Sequence, residues 1–102
     1  METNEIYIEF ETKSLTRISG NPLGREIYDR QIKGKFDINK LNIVIFPDYI
    51  EGVSISFVQG LLSGILENIN LDELNSKFKF VCKNTRVQNK IMDSIFATYV
   101  RK

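Results

Sequence analysis

Residues 42–69 read NIVIFPDYIEGVSISFVQGLLSGILENI. Ile43 to Phe46 is an apolar run with large side chains on both alternating faces, the pattern of a central strand, and it stops at Pro47. A short polar link follows. Then Phe57, Val58, Leu61, Leu62, Ile65, Leu66 and Ile69 fall at the spacing of one helix face. The stretch therefore predicts a strand, a link and a helix over residues 57–69. Two serines, Ser54 and Ser56, stand at or just before the helix start. A serine there caps the helix by accepting from an N–H two or three residues on, and a phosphate placed there is stabilised by the helix N-terminus. Both Ser54 and Ser56 are therefore candidate phosphorylation sites as well as candidate caps.

Working outward, the same alternation of strand and helix continues. Residues 5–11 alternate, with Ile6, Ile8 and Phe10 facing one way and Glu5, Tyr7, Glu9 and Glu11 the other, which predicts a strand buried on one face. A poorer second strand is read over residues 13–18. Ser19-Gly20-Asn21-Pro22 is turn chemistry, and Leu23, Ile27, Tyr28 and Ile32 give residues 23–33 a helical apolar face that ends at Gly34. Towards the C-terminus, Phe78, Phe80 and Cys82 alternate with Lys77, Lys79 and Lys83 in a further strand. A last helix, capped by Asn84 or Thr85, is read as burying Val87, Ile91, Ile95, Phe96 and Tyr99. Strands that alternate with helices imply parallel pairing through helical crossovers. The acidic outer face of the first strand predicts that helices cover one face of the sheet.

Composition bounds the chemistry. A chain of 102 residues, 42% hydrophobic and 26% charged, reads as one ordinary globular domain, residues 1–102. The formal net charge of +1 gives no strong field towards nucleic acid or anionic membrane. Residues 71–102 carry 7 basic and 3 acidic groups, so a nucleic-acid-associated role for that basic third is the alternative function. Against it, there is no helix-turn-helix pattern and no set of aromatics for stacking bases. There is no histidine and one cysteine, Cys82, which excludes an internal disulfide and an ordinary zinc site and removes the usual general base. A nucleophile would have to be Ser with Lys or Asp, and no spacing singles one out. The expectation is a non-enzyme without cofactor or metal. The beginning METNEIYIEF is acidic and alternating, unlike a signal peptide, and no run is long and apolar enough to span a bilayer. The expected location is the cytoplasm.

Gly60 and Gly64 lie one turn apart in the second helix. Each costs about 1 kcal/mol relative to Ala in a helix interior, a cost that calls for a close neighbour. That neighbour is either another element of this domain or a partner. With Asp48, Ser54, Ile55 and Ser56, the two glycines make up the candidate partner-binding surface.

The order of motifs resembles the STAS domains, the fold of bacterial anti-sigma factor antagonists, and more closely the small STAS-like domains of unknown function of bacteria and their mobile elements. The residues that carry the resemblance are Thr16-Arg17, Gly20-x-Pro22-Leu23-Gly24-Arg25-Glu26-Ile27, the strand Ile43-Val44-Ile45, and Ile50-x-x-Val53-Ser54-x-Ser56-Phe57 leading into Leu61-Leu62 and Gly64. The resemblance covers roughly residues 15–95. It implies an α/β fold with a roughly four-stranded, mostly parallel or mixed sheet and helices mainly on one face. It also implies regulation by protein–protein contact rather than catalysis, with a kinase-like ATP-binding protein as candidate partner, in a monomer or homodimer. Carried over without gaps, the family's phosphorylated serine falls on Ile55, its adjoining acid on Ser54 and a further acid on Phe46, with Asp48 two residues late. A shift of one residue would make Ser54 or Ser56 the acceptor. The alternative to this reading is an accessory regulator of phage or mobile elements.

Overall fold

The computed structural model describes residues 2–11 and 16–100, the Tyr99 side chain excepted. It is an α/β domain in which a parallel three-stranded sheet is formed by β1 (Thr3–Tyr7), β3 (Leu41–Ile45) and β5 (Phe78–Val81), in the order β1-β3-β5. A separate parallel ladder joins β2 (Arg17–Ile18) to β4 (Gly52–Val53). Four helices accompany these strands among the described residues. They are α1 (Asn21–Ile27), which runs on through a π-helical turn (Tyr28–Ile32); α2 (Ile55–Ile65); α3 (Leu74–Lys77), entered by a 3-10 turn (Leu71–Glu73); and α4 (Thr85–Val100).

Pairing is in register across the main sheet: Ile6 with Val44 with Phe80, and Tyr7 with Ile45 with Val81. Because side chains alternate along a strand, Ile6, Ile8, Val44, Phe46, Phe78, Phe80 and Cys82 all point to one side, where they are buried. There they meet the α2 stripe of Phe57, Val58, Leu61, Leu62 and Ile65, the α1 residues Ile27 and Tyr28, and Val87, Ile91 and Ile95 of α4. Phe57 sits at the centre, 6.3 Å from the rings of both Phe10 and Phe46. The opposite side of the sheet carries Glu5 and Tyr7, Ile43 and Ile45, and Lys79 and Val81, none of them buried. Over it lies a shallow open depression of about 610 Å³.

The elements differ from the sequence expectation at definite places. Among the described residues the main sheet has three strands rather than four. The second strand is reduced, among the described residues, to Arg17–Ile18, and it pairs with Gly52–Val53 instead of the main sheet; residues 13–15 of that reading lie outside the described residues. Strand β1 stops pairing at Ile8, whose N–H donates to the Ile45 carbonyl at 3.0 Å. One residue later the Gln31 side chain takes over: its carbonyl accepts from Glu9 N–H at 2.7 Å and its amide donates to the Glu9 carbonyl at 2.6 Å. Gln88 treats β5 the same way, accepting from Cys82 N–H at 2.6 Å and donating to the Phe80 carbonyl at 2.9 Å. Edge strands with free backbone groups invite pairing with other chains. At these points each outer edge is closed by a glutamine from a helix, which weighs against a dimer formed by adding strand to strand.

Helix α2 ends at Ile65, short of the expected Ile69. Its last turn tightens through bonds from Glu67 N–H to the Gly64 carbonyl (3.2 Å) and from Asn68 N–H to the Ile65 carbonyl (3.0 Å), and Ile69 is still buried. In α4, Asn84 is the cap, its side chain accepting from Arg86 and Val87 N–H at 3.0 and 3.2 Å. Val87, Ile91 and Ile95 form the buried stripe, but Phe96 is 69% exposed, contrary to the sequence reading. The i, i+4, i+8 spacing already fills the contact face, and Phe96 stands one residue, about 100°, off it. The Tyr99 side chain lies outside the described residues.

Candidate functional site

Strand β4 leads into α2 and its parallel partner β2 into α1, so the two helix starts meet at the carboxyl end of that ladder, the end at which open α/β sheets hold their ligands. Ser54 is the N-cap, in extended conformation (φ −92°, ψ 157°), and its Oγ accepts from Phe57 N–H at 3.1 Å. The Ser54 and Ser56 oxygens are 3.0 Å apart, and each lies 3.3 Å from the N–H of Gly20. Gly20 has φ +98°, a left-handed backbone that favours glycine, and it turns the chain from β2 into α1. Pro22 then sits in the first turn of α1, where its missing N–H is not needed. The two serines thus clamp the loop that starts α1 onto the start of α2. Both are occupied within the fold.

Between them stands Ile55, 43% exposed. Ser56 is exposed and Ser54 half-buried. Asp48 is not part of this cluster. It is exposed, borders the depression on the open sheet face, and comes within 4.0 Å of Lys83.

Gly60 and Gly64 do not offer the free groove expected of them, because α1 covers both. A methyl added at Gly60 would fall far inside contact distance of the Asn21 carbonyl oxygen and 2.9 Å from its carbon. At Gly64 it would run into the Tyr28 ring, which is buried and whose hydroxyl accepts from the Asn68 side chain. Gly24 on α1 answers them: a methyl there would overlap the Phe57 carbonyl oxygen and lie 2.8 Å from Leu61 N. Gly24 and Gly60 let two helix backbones touch, and Gly64 makes room for the Tyr28 ring. They belong to the helix–helix contact and are unavailable to a partner.

The Gly20–Arg25 segment could have held an anion with its arginine. Arg25 is committed instead to Glu67, 2.7 Å away in the turn that follows α2, and to Asp29 at 3.3 Å, and these carboxylates push its pKa up. The basic residues of the C-terminal third are divided between several places, with Arg86 and Lys90 bordering a small depression beside Glu51. Lys77 donates to the Ile38 carbonyl at 2.8 Å, Lys83 faces Asp48, and Lys79 stands on the open sheet face. Among the described residues no cluster of His, Cys, Asp and Glu could hold a metal ion, and no helix is long and apolar enough to cross a membrane.

Cys82 is 6% exposed, and burial pushes its thiol pKa up. The thiolate is the reactive form. Iodoacetamide at neutral pH should therefore leave the native chain unmodified over a time in which the chain in denaturant takes up one adduct by mass. Equal labelling in both states would show that the thiol is reached in the folded protein.

Sequence reasoning missed Asn42. It is fully buried and makes five hydrogen bonds at the start of β3. Its one visible signal was a polar residue at the head of an otherwise apolar strand. Compared with known proteins, the chain matches no family model, no curated protein and no solved structure.

Proposed function

We propose that this chain is a non-enzymatic regulatory module of the STAS-like kind, which docks a protein partner at the start of α2. The observation that carries the reading is Ile55. It is a large apolar side chain, 43% exposed, held on the first turn of a helix whose neighbouring hydroxyls are spent inside the fold. A single exposed isoleucine is unremarkable on a loop. Here it is fixed on a rigid element at the carboxyl end of parallel strands, and the capped start keeps it in one place. Rigid apolar anchors with a polar rim are what protein interfaces use, and Ser56 supplies the beginning of such a rim. The engagement of both serine oxygens with Gly20 N–H favours an apolar docking edge over a phosphate switch. Phosphorylating Ser54 would also disturb a cap worth about 1 kcal/mol.

The candidate partner is an ATP-binding protein of kinase-like fold. The test is calorimetric titration of wild-type and Ile55→Arg chains against the proteins of that fold in the same genome. The expected result is one binder whose affinity falls at least tenfold with Ile55→Arg, while the circular dichroism of the variant is unchanged. Equal affinity would remove the α2 start as the docking edge, and no binder among those proteins would remove the partner class.

A further inference from the structure

Among the described residues nothing covers the outer face of the main sheet, which is out of keeping with its topology. A parallel sheet is ordinarily covered on both faces, because its strands are apolar on both sides. Here Ile43, Ile45 and Val81 are only half-buried, and Tyr7 is 59% exposed. Together with Pro47 they line the depression of about 610 Å³. The charges around them are sorted by strand. On the β1 flank the outward residues are acidic: Glu5, and two positions beyond Tyr7, Glu9. On the β5 flank they are basic: Lys79, and two positions beyond Val81, Lys83, the latter beside an acid, Asp48 of the link after β3. All four are exposed. Register places Glu5, Ile43 and Lys79 in one row across the sheet, and Tyr7, Ile45 and Val81 in the next.

We propose that this face takes a second copy of the same chain, related by a twofold axis that runs parallel to the strands. Such an axis exchanges the β1 and β5 flanks and keeps each row at its own height. Glu5 then faces Lys79 of the second copy, and Lys79 faces its Glu5, as a twofold interface requires. Ile43 meets Ile43, Ile45 meets Ile45, and Tyr7 lies over Val81. Glu9 and Lys83 repeat the pairing more weakly one row on, because Asp48 of the same chain lies 4.0 Å from Lys83. A twofold axis across the strands would instead set acidic flank on acidic flank and basic on basic, which costs free energy. The charge pattern therefore selects one symmetry and one occupant. Two sheets stacked this way lie about 10 Å apart with strands nearly aligned, the ordinary sandwich arrangement. Strand-to-strand addition is opposed where Gln31 and Gln88 close the outer edges, which leaves the face as the route.

The footprint is small. Three strands about 4.8 Å apart and some five residues long cover less than the roughly 800 Å² per partner of a standard interface. The dimer is accordingly weak and reversible, and salt weakens it. The surface includes none of Ser54, Ile55 and Ser56, so it can form whether or not α2 docks a partner.

Sedimentation velocity across a concentration series at low salt tests the proposal. Wild-type chain is expected to rise from about 11.8 kDa towards twice that mass. Glu5→Lys and Lys79→Glu chains should each stay monomeric, since each sets like charges opposite one another. Mixed in equal amounts they should associate again, because Glu5 of one then meets Lys79 of the other and the two introduced charges meet each other. Both positions are exposed, so each variant should keep the wild-type circular dichroism. Ile45→Asp should abolish association in every pairing. A wild-type chain that stays monomeric up to millimolar concentration overturns the proposal, whatever else binds the face. So does a dimer that both single reversals leave intact, or a mixture that fails to associate.

Discussion

Gly60→Ala should destabilise the domain by about 3 kcal/mol or more, against a helix propensity that favours alanine by about 1 kcal/mol. The expectation rests on what the new methyl group meets. At Gly60 it overlaps the Asn21 carbonyl oxygen, with the Asn21 carbonyl carbon at 2.9 Å and its Cα at 3.0 Å. These are backbone atoms at the start of α1, and that backbone is pinned by the Gly20 turn and the two serines. No side chain can swing aside. The helices must separate, and separation opens the contact centred on Phe57, Leu61 and Tyr28, each about 1% exposed or less. Gly24→Ala meets Phe57 and Leu61 backbone from the other side and should cost a similar amount. A domain of this size has a total stability of about 5–15 kcal/mol, and about 4–8 °C of melting temperature goes with each kcal/mol. Thermal unfolding should therefore shift down by at least about 12 °C for either change. Gly34→Ala is the control. Nothing lies within 4 Å of its added methyl, and its backbone is outside the left-handed region. It should leave stability unchanged or raise it by about 0.5 kcal/mol. A Gly60→Ala chain that melts with the wild type would mean that α1 does not pack on α2 through these glycines.

The same glycines mark what could be read from the chain and what could not. Their cost in a helix was visible in the sequence, and so was the demand for a close neighbour. Which neighbour was not. The answer depends on Gly24 lying opposite on α1, some 36 residues earlier, and spacing along one helix carries no information about the helix it touches. The apolar stripe of α2 and the alternation of β1 and β5 were legible because periodicity is a local property. The class of the fold followed from the order of such segments. Phe96 misled because hydrophobicity alone does not fix a face; one step of about 100° around α4 separates it from Ile95. Residues 71–77 form a turn and short helix that a polar, weakly periodic segment did not announce. The partner of the second strand was not legible, since two residues pair by virtue of where the loops bring them. At the site, Ser54 and Ser56 were correctly located at the start of α2, but their common contact with Gly20 is a tertiary fact. So are the glutamine closures of Glu9 and Phe80.

Asn42 is where a single side chain does most to join separate parts of this chain, and Asn42→Asp, a change of one atom in shape, should cost about 4 kcal/mol at neutral pH. Its amide nitrogen shares its two hydrogens among the carbonyls of Asp37 at 2.8 Å, Lys40 at 3.1 Å and Lys77 at 3.1 Å. Its oxygen accepts from Asn4 Nδ2 at 2.8 Å and from Asp37 N–H at 2.9 Å. Three acceptors on one side and two donors on the other fix which way the amide points. The side chain is 0% exposed and ties β1, the 37–40 turn, β3 and the end of α3 together. A carboxylate in its place keeps the two accepted bonds. It turns an oxygen, with full negative charge, against three carbonyl oxygens. Removing a donor from buried acceptors costs about 1–3 kcal/mol, and burying an unpaired charge adds to that. The loss has a pH signature. Proton uptake lets the introduced carboxyl donate to one of the three carbonyls, so its folded pKa is raised above the ordinary value of about 3.9. The variant should then be closest to wild type below pH ~4 and lose stability as pH rises through the raised pKa. Asn42→Leu removes both sets of bonds and should be equally destabilising, but with no such pH dependence. Urea unfolding of the three chains at pH 4 and pH 7 makes the comparison. The decisive quantity is the difference between the Asp and Leu variants. If it does not change between the two pH values, the amide nitrogen of Asn42 does not face the three carbonyls.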